Sequence, residues 1–61
     1  MFVETYADAI LELYRLGFVA PTEQQPFWGK QYRDKSGYAI GAPKRAFITP
    51  QAQGYNIMIE D

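Results

Sequence analysis

The chain has 61 residues and contains neither cysteine nor histidine. A domain of about 60 residues buries only about 60% of the surface that its unfolded chain exposes, so its stability is marginal. Chains this short usually add disulfides, a structural metal or association with another chain. This composition excludes the first and nearly excludes the second. With 48% hydrophobic and 21% charged residues, we expect one folded domain over 1–61, with association as the remaining reinforcement.

The segment from Val3 to Leu16 predicts a helix, since it lacks proline and glycine and is followed by Gly17. On a helical projection its apolar residues span about 220°, far more than the roughly 100° stripe that covers one core. Either the loop over 18–28 folds back across one flank, or part of the helix faces another chain. We therefore predict an oligomer interface formed by Leu11, Tyr14 and Leu16.

The second half of the chain has the patterns of short β-strands. Residues 30–33 and 38–40 flank a turn that contains Gly37, and residues 46–49 and 55–60 flank a second turn. In the last strand apolar residues alternate with others, which gives one apolar face. The order predicts an α+β fold in which an N-terminal helix packs on a three- or four-stranded antiparallel sheet, connected as a meander.

The sequence contains few of the residue types that usually carry out catalysis. Histidine and cysteine supply most metal ligation, nucleophile activation and proton transfer near neutral pH, and both are absent. Asp8 and Glu12 lie on one helical face, which we interpret as a solvated surface, and Ser36 belongs to a turn. We predict a protein that is not an enzyme and that uses no metal and no cofactor.

The segment from 28 to 47 interleaves aromatic and basic side chains: Trp28, Lys30, Tyr32, Arg33, Lys35, Tyr38, Lys44, Arg45 and Phe47. Such a pattern is typical of single-stranded nucleic-acid binding, where bases stack on rings and phosphates meet cations. It is equally typical of an aromatic core whose sheet edges are protected by basic residues. The isoelectric point near 5.2 is far below the value above about 9 that is usual for nucleic-acid domains. Nucleic-acid binding is therefore the alternative function.

A protein partner explains the same residues better, because interfaces are enriched in aromatic residues, methionine and arginine. We predict that a partner binds through Trp28, Tyr32, Arg33, Arg45 and Met58. For Trp28 a core position is the alternative interpretation. The predicted function is a non-enzymatic binding module that occludes a surface of a larger protein or protein complex, acting as a homo-oligomer or within a hetero-complex.

In size and character the chain resembles many small phage or mobile-element proteins that inhibit a host complex, including anti-CRISPR proteins. That resemblance implies an inhibitor. The first residues include acids where a secretory signal has a basic region, and apolar runs stay far below the roughly 18 residues of a membrane span. We therefore expect a cytoplasmic protein without a membrane segment.

Overall fold

The computed structural model of the chain describes residues 1–60. Its elements in chain order are β1 (Phe2–Val3), α1 (Tyr6–Arg15), β2 (Trp28–Arg33), β3 (Ala39–Gln51) and β4 (Gly54–Glu60). They form one sheet with the order β1-β4-β3-β2, in which every neighbouring pair is antiparallel. The predicted α+β fold is confirmed: an N-terminal helix accompanies a four-stranded antiparallel sheet whose last three strands form a meander.

The helix begins later than the sequence pattern predicts. Thr5 is its N-cap, and the Thr5 hydroxyl accepts a 3.1 Å hydrogen bond from the backbone N–H of Asp8. Val3 continues the apolar period of the helix but lies in β1, where it pairs with Tyr55 of β4. The predicted start at Val3 is therefore wrong, because pairing with a neighbouring strand outweighs the local helical pattern.

At its other end the helix is closed by a Schellman motif. Gly17 has a φ of 89°, which glycine adopts without strain. Its N–H donates to the carbonyl of Tyr14, and the N–H of Phe18 donates to the carbonyl of Leu13, both at 3.0 Å. Leu13 and Phe18 are both buried, so the cap also carries the chain from the helix into the core.

Strand β3 is longer than predicted. The predicted strands at 38–40 and 46–49 belong to one strand, which bends at a bulge where residues 41–43 lie opposite Gln31 alone. Gly41 has a φ of 73°, and the Gln31 side-chain amide donates to two β3 carbonyls at 3.3 and 3.2 Å. The bulge allows the strand to continue past glycine and proline, which the sequence pattern treats as a break.

The core lies between α1 and one face of the sheet. Its buried side chains are Ala9, Leu13, Phe18, Trp28, Ala46 and Ile57, and partly buried apolar residues pack around them. The loop therefore covers part of the wide apolar arc of the helix, because its two ends, Phe18 and Trp28, enter the core. Among residues 1–60 no helix is long and apolar enough to cross a membrane.

Candidate interaction surfaces

The two faces of the sheet differ in what covers them. Helix α1 packs on the face that carries Ile57, which we call the helix face. Side chains alternate along a strand, and directly opposed residues of neighbouring strands share a face. The opposite face, which we call the open face, therefore carries Phe2, Phe27, Arg45, Phe47, Thr49, Asn56, Met58 and Glu60.

The centre of the open face is apolar and its border is charged. The rings of Phe27 and Phe47 lie 6.0 Å apart between centroids, and Met58, opposite Phe47, is 48% exposed. The Arg45 guanidinium lies 5.7 Å from the Phe27 ring and 3.6 Å from the Glu60 carboxylate. Because both charged side chains are about half exposed, this pair contributes little to stability and stays accessible to a partner.

A cavity of about 500 Å³ opens where loop 18–27 meets strands β2 and β3. Its lining includes Val19, Gln25, Phe27, Pro43 and Arg45 around the backbone of Gly29. A Cβ at Gly29 would lie 4.0 Å from Gln25 and from Phe27, so the missing side chain leaves space between them. The lining combines these apolar walls with three basic side chains, Lys30, Lys44 and Arg45. It suits an apolar or aromatic side chain of a partner that has an acidic group beside it.

Beyond the helix, β2 and β3 continue as a hairpin that we call the arm, residues 32–43. Every residue of the arm is exposed, and its large apolar side chains Tyr32, Tyr38 and Ile40 are 43%, 74% and 50% exposed. The molecule measures 43 Å along its longest axis against 22 and 17 Å across. The arm therefore presents apolar surface that is not used for the core.

Asp34 organises the turn at the end of the arm. Its Oδ1 accepts hydrogen bonds from the Ser36 hydroxyl at 2.8 Å, the Ser36 N–H at 2.9 Å and the Tyr38 N–H at 3.0 Å. The Ser36 hydroxyl bond, followed by the backbone bonds, lowers the pKa of Asp34 below its usual value of 3.8. Gly37 has a φ of 93°, the left-handed conformation predicted for this turn.

The structure divides the aromatic and basic segment into structural and exposed groups. The Lys30 ammonium donates a 2.6 Å hydrogen bond to the Leu16 carbonyl at the helix C-terminus, where a cation is favoured. It also lies 4.9 Å from the Tyr32 ring and 5.7 Å from the Phe18 ring. Lys30 therefore serves the fold, whereas Arg33 and Lys35 are exposed on the arm.

The five residues predicted to bind a partner do not lie together. Trp28 is 5% exposed and belongs to the core, which is the alternative interpretation given above. Tyr32 and Arg33 lie on the arm, and Arg45 and Met58 lie on the open face. Four of the five therefore remain exposed, on two neighbouring surfaces.

The residues predicted to form an oligomer interface are also divided. Leu11 is 61% exposed and Tyr14 is 56% exposed, with its ring edge-on to Trp28 at 5.2 Å. Leu16 is half-buried and packs against the core. Glu12 and Arg15 form a 3.1 Å ion pair on the same helix. The exposed flank of the helix thus consists of Leu11 and Tyr14.

Sequence reasoning missed two open-face residues, Phe2 and Phe27. Phe2 precedes the predicted helix, but it pairs with Asn56 in the sheet. Phe27 was assigned to a connector because Pro26 precedes it and Gly29 follows it. In the structure Phe27 lies directly before β2, which begins at Trp28. The two adjacent aromatic residues were the available signal, because successive side chains of an extended chain point to opposite faces.

Within residues 1–60 no three acidic, histidine or cysteine side chains are grouped to hold a metal ion. No protein-family model, curated protein or solved structure matches the chain.

Proposed function

We propose that this chain is a non-enzymatic protein-binding module that uses its open face to occupy a surface of a larger protein. The observation that carries the proposal is the composition of that face: Phe27, Phe47 and Met58 form an apolar centre, and Arg45 and Glu60 form a charged border. An apolar centre with a polar rim is the usual anatomy of a protein interface. Phe2, 54% exposed, extends the apolar area along β1.

The cavity beside Gly29 supports the same proposal, because binding energy in interfaces concentrates where a large side chain enters a pocket. Phe27 and Arg45 belong both to the open face and to the lining of the cavity. A partner that places an apolar or aromatic side chain there also meets the Arg45 guanidinium. We expect an acidic residue of the partner near that anchor.

Met58 and Ile59 provide a matched test. They are neighbours in β4, are 48% and 45% exposed, and point to opposite faces of the sheet. Each is replaced by aspartate, and the folded variants are used to capture partners from the source cell and then to measure affinity for the purified partner. We expect Met58→Asp to weaken binding by at least about tenfold, the usual cost of losing a hot spot, while Ile59→Asp retains it.

Equal melting temperatures for the two variants show that the difference arises in the interface. If Ile59→Asp abolishes binding and Met58→Asp does not, the partner binds the helix face and the proposal is wrong. Inhibition of a host complex, implied by the resemblance in size and character, stays a prediction until the partner is identified.

Single-stranded nucleic acid is the second candidate, and one observation favours it. Tyr38 is 74% exposed at the end of the arm, close in sequence to Arg33 and Lys35, so a stacked base would have cations beside it. If the arm binds phosphates, oligonucleotide affinity falls with salt by a logarithmic slope of about 0.7 per contact. We expect no such binding; micromolar affinity with that slope, lost on replacing Arg33 and Lys35, would reverse the ranking.

A further inference from the structure

The outer edge of β2, which is the side away from β3, is paired at Gly29. Val19 forms an isolated antiparallel bridge with Gly29, in which the Val19 N–H donates to the Gly29 carbonyl at 2.7 Å and the Gly29 N–H donates to the Val19 carbonyl at 3.1 Å. The backbone N–H and C=O of Gly29 therefore point away from β3. Along an edge strand every second residue repeats this orientation.

A hydrogen bond just beyond the other end of β2 indicates the same alternation of inward-pointing and outward-pointing backbone groups. The Asp34 N–H donates to the Tyr38 carbonyl at 3.0 Å, so Asp34 points its backbone groups toward the other strand of the arm. Gln31 and Arg33 are odd-numbered like Gly29, and we infer that their backbone groups point outward. A row of outward donors and acceptors is a template for pairing with another strand.

We propose that this edge pairs with the same edge of a second copy of the chain, antiparallel, about a two-fold axis at Tyr32. Outward-pointing residues must face outward-pointing residues, so Gln31 of each copy exchanges backbone hydrogen bonds with Arg33 of the other. Tyr32 then faces Tyr32 of the second copy in a non-hydrogen-bonded pair. Beyond Gly29 the Val19 bridge occupies the edge, which limits the pairing to the arm.

The tyrosine at the centre of this register argues for a second copy rather than an unrelated strand. The Lys30 ammonium and the Asp34 carboxylate keep their partners within their own chain, where Lys30 bonds to the Leu16 carbonyl and Asp34 holds the turn. At the axis two tyrosine rings face each other, an aromatic cross-strand pair that favours association. Tyr32 is 43% exposed in the single chain, so part of its side chain is available for this contact.

The axis is perpendicular to the sheet, so both open faces lie on the same side of the dimer. The dimer would present a doubled surface to a partner, although the pairing itself does not depend on the proposed function. The edge is distinct from the exposed helix flank of Leu11 and Tyr14, which the sequence predicts as the oligomer interface. The two locations can therefore be separated by mutation.

A disulfide tests the register directly, because the chain contains no cysteine of its own. Residues opposed in a non-hydrogen-bonded pair have Cα atoms about 4.5 Å apart, within disulfide range. Tyr32→Cys should form a covalent dimer of twice the 7.0 kDa chain mass under mild oxidation. Tyr38→Cys, on the same arm but away from the axis, is the control and should cross-link at least about tenfold more slowly, as random collision allows.

Sedimentation equilibrium gives a test without a cross-link. We expect the wild-type chain to approach the mass of two chains at high micromolar concentration, and Tyr32→Lys, which sets two cations against each other at the axis, to remain single. Tyr38→Lys and Leu11→Ser should associate like the wild type. A single-chain mass for the wild type at every concentration, equal cross-linking of the two cysteine variants, or loss of the dimer in Leu11→Ser alone would overturn the proposal.

Discussion

The arm and the rest of the molecule are built from the same sheet but are held in different ways. All six buried side chains lie in the body, which we define as residues 1–31 and 44–60, whereas every arm residue from 32 to 43 is exposed. The body is stabilised by apolar burial between α1 and the sheet. The arm depends on its ladder, on the Asp34 turn and on the bulge, and an isolated hairpin of this kind is marginally stable in water.

This difference separates what the chain needs to fold from what it presents to others. Lys30 and Lys35 are five residues apart, yet Lys30 caps the helix C-terminus and Lys35 is exposed at the turn. Residue type alone does not distinguish them. The two lysines are distinguished by their positions relative to the core. In the same way, the exposed apolar residues of the arm are available for binding because they are not part of the core.

The largest contrast is expected for matched truncations of aliphatic side chains in the two regions. Leu13 is fully buried and Ile40 is 50% exposed on the arm. Leu13→Ala should lower the free energy of unfolding by about 2–5 kcal/mol, since it leaves a cavity in a very small core. Ile40→Ala should change it by less than about 1 kcal/mol. Chemical denaturation measures both, and equal losses would show that the arm belongs to the folding unit.

Two glycines of the body give the next contrast. A Cβ at Gly54 would collide with the Val3 carbonyl oxygen and with the Phe2 ring, so β1 approaches β4 closely only because residue 54 is glycine. Gly54→Ala should cost about 1–3 kcal/mol, the range seen for overpacking. Gly29→Ala, whose Cβ has no neighbour closer than 4.0 Å, is the control and should be near neutral. Similar melting temperatures for the two variants would contradict the close packing of β1.

The two lysines predict a smaller difference. Lys30→Met removes the donor to the Leu16 carbonyl and should cost about 1–2 kcal/mol, because that carbonyl is partly buried at a helix C-terminus. Lys35→Met should be within about 0.5 kcal/mol of the wild type. Thermal unfolding followed by circular dichroism separates the two variants. If Lys35→Met is the more destabilising, the assignment of structural and exposed cations is reversed.

The smallest effect is local and depends on pH. The pKa of Asp34 is lowered in the folded arm, so its contribution to the turn is complete above the pKa of the unfolded chain. It is lost as the pH falls through the lower, folded pKa. The amide signals of Ser36 and Tyr38, whose N–H groups bond to Asp34, should shift together in that acid range. Asp34→Asn keeps an acceptor oxygen but does not titrate. In that variant the pH-dependent shift of the two amide signals should disappear.

How much of this could be predicted from the sequence depends on the distance over which each signal acts. Gly17 and Gly37 adopt the left-handed turns that were predicted, because those signals are local to a few residues. The strand pairing of Val3 with Tyr55 and the continuation of β3 through its bulge were not predicted, since both depend on residues distant in sequence.

The surfaces were predicted less completely than the fold. The alternation along β4 correctly placed Met58 on the face of the sheet that lies away from the core-facing Ile57. The same reasoning placed Arg45 on that face. Trp28 could not be assigned from sequence, because a large ring beside Gly29 fits a core and an interface equally well. Its burial in the core cluster, which depends on residues distant in sequence, decides for the core.

Residue-resolved amide hydrogen exchange tests the division between body and arm most directly, at a dilution where the chain is single. Amides of the body near Leu13 and Ile57 should exchange only through global unfolding, with protection that reports the full free energy of folding. Arm amides such as those of Tyr32 and Ile40 should exchange at least about a hundredfold faster, through local opening. Equal protection of both regions would contradict the account, because it would make the arm part of one cooperative core.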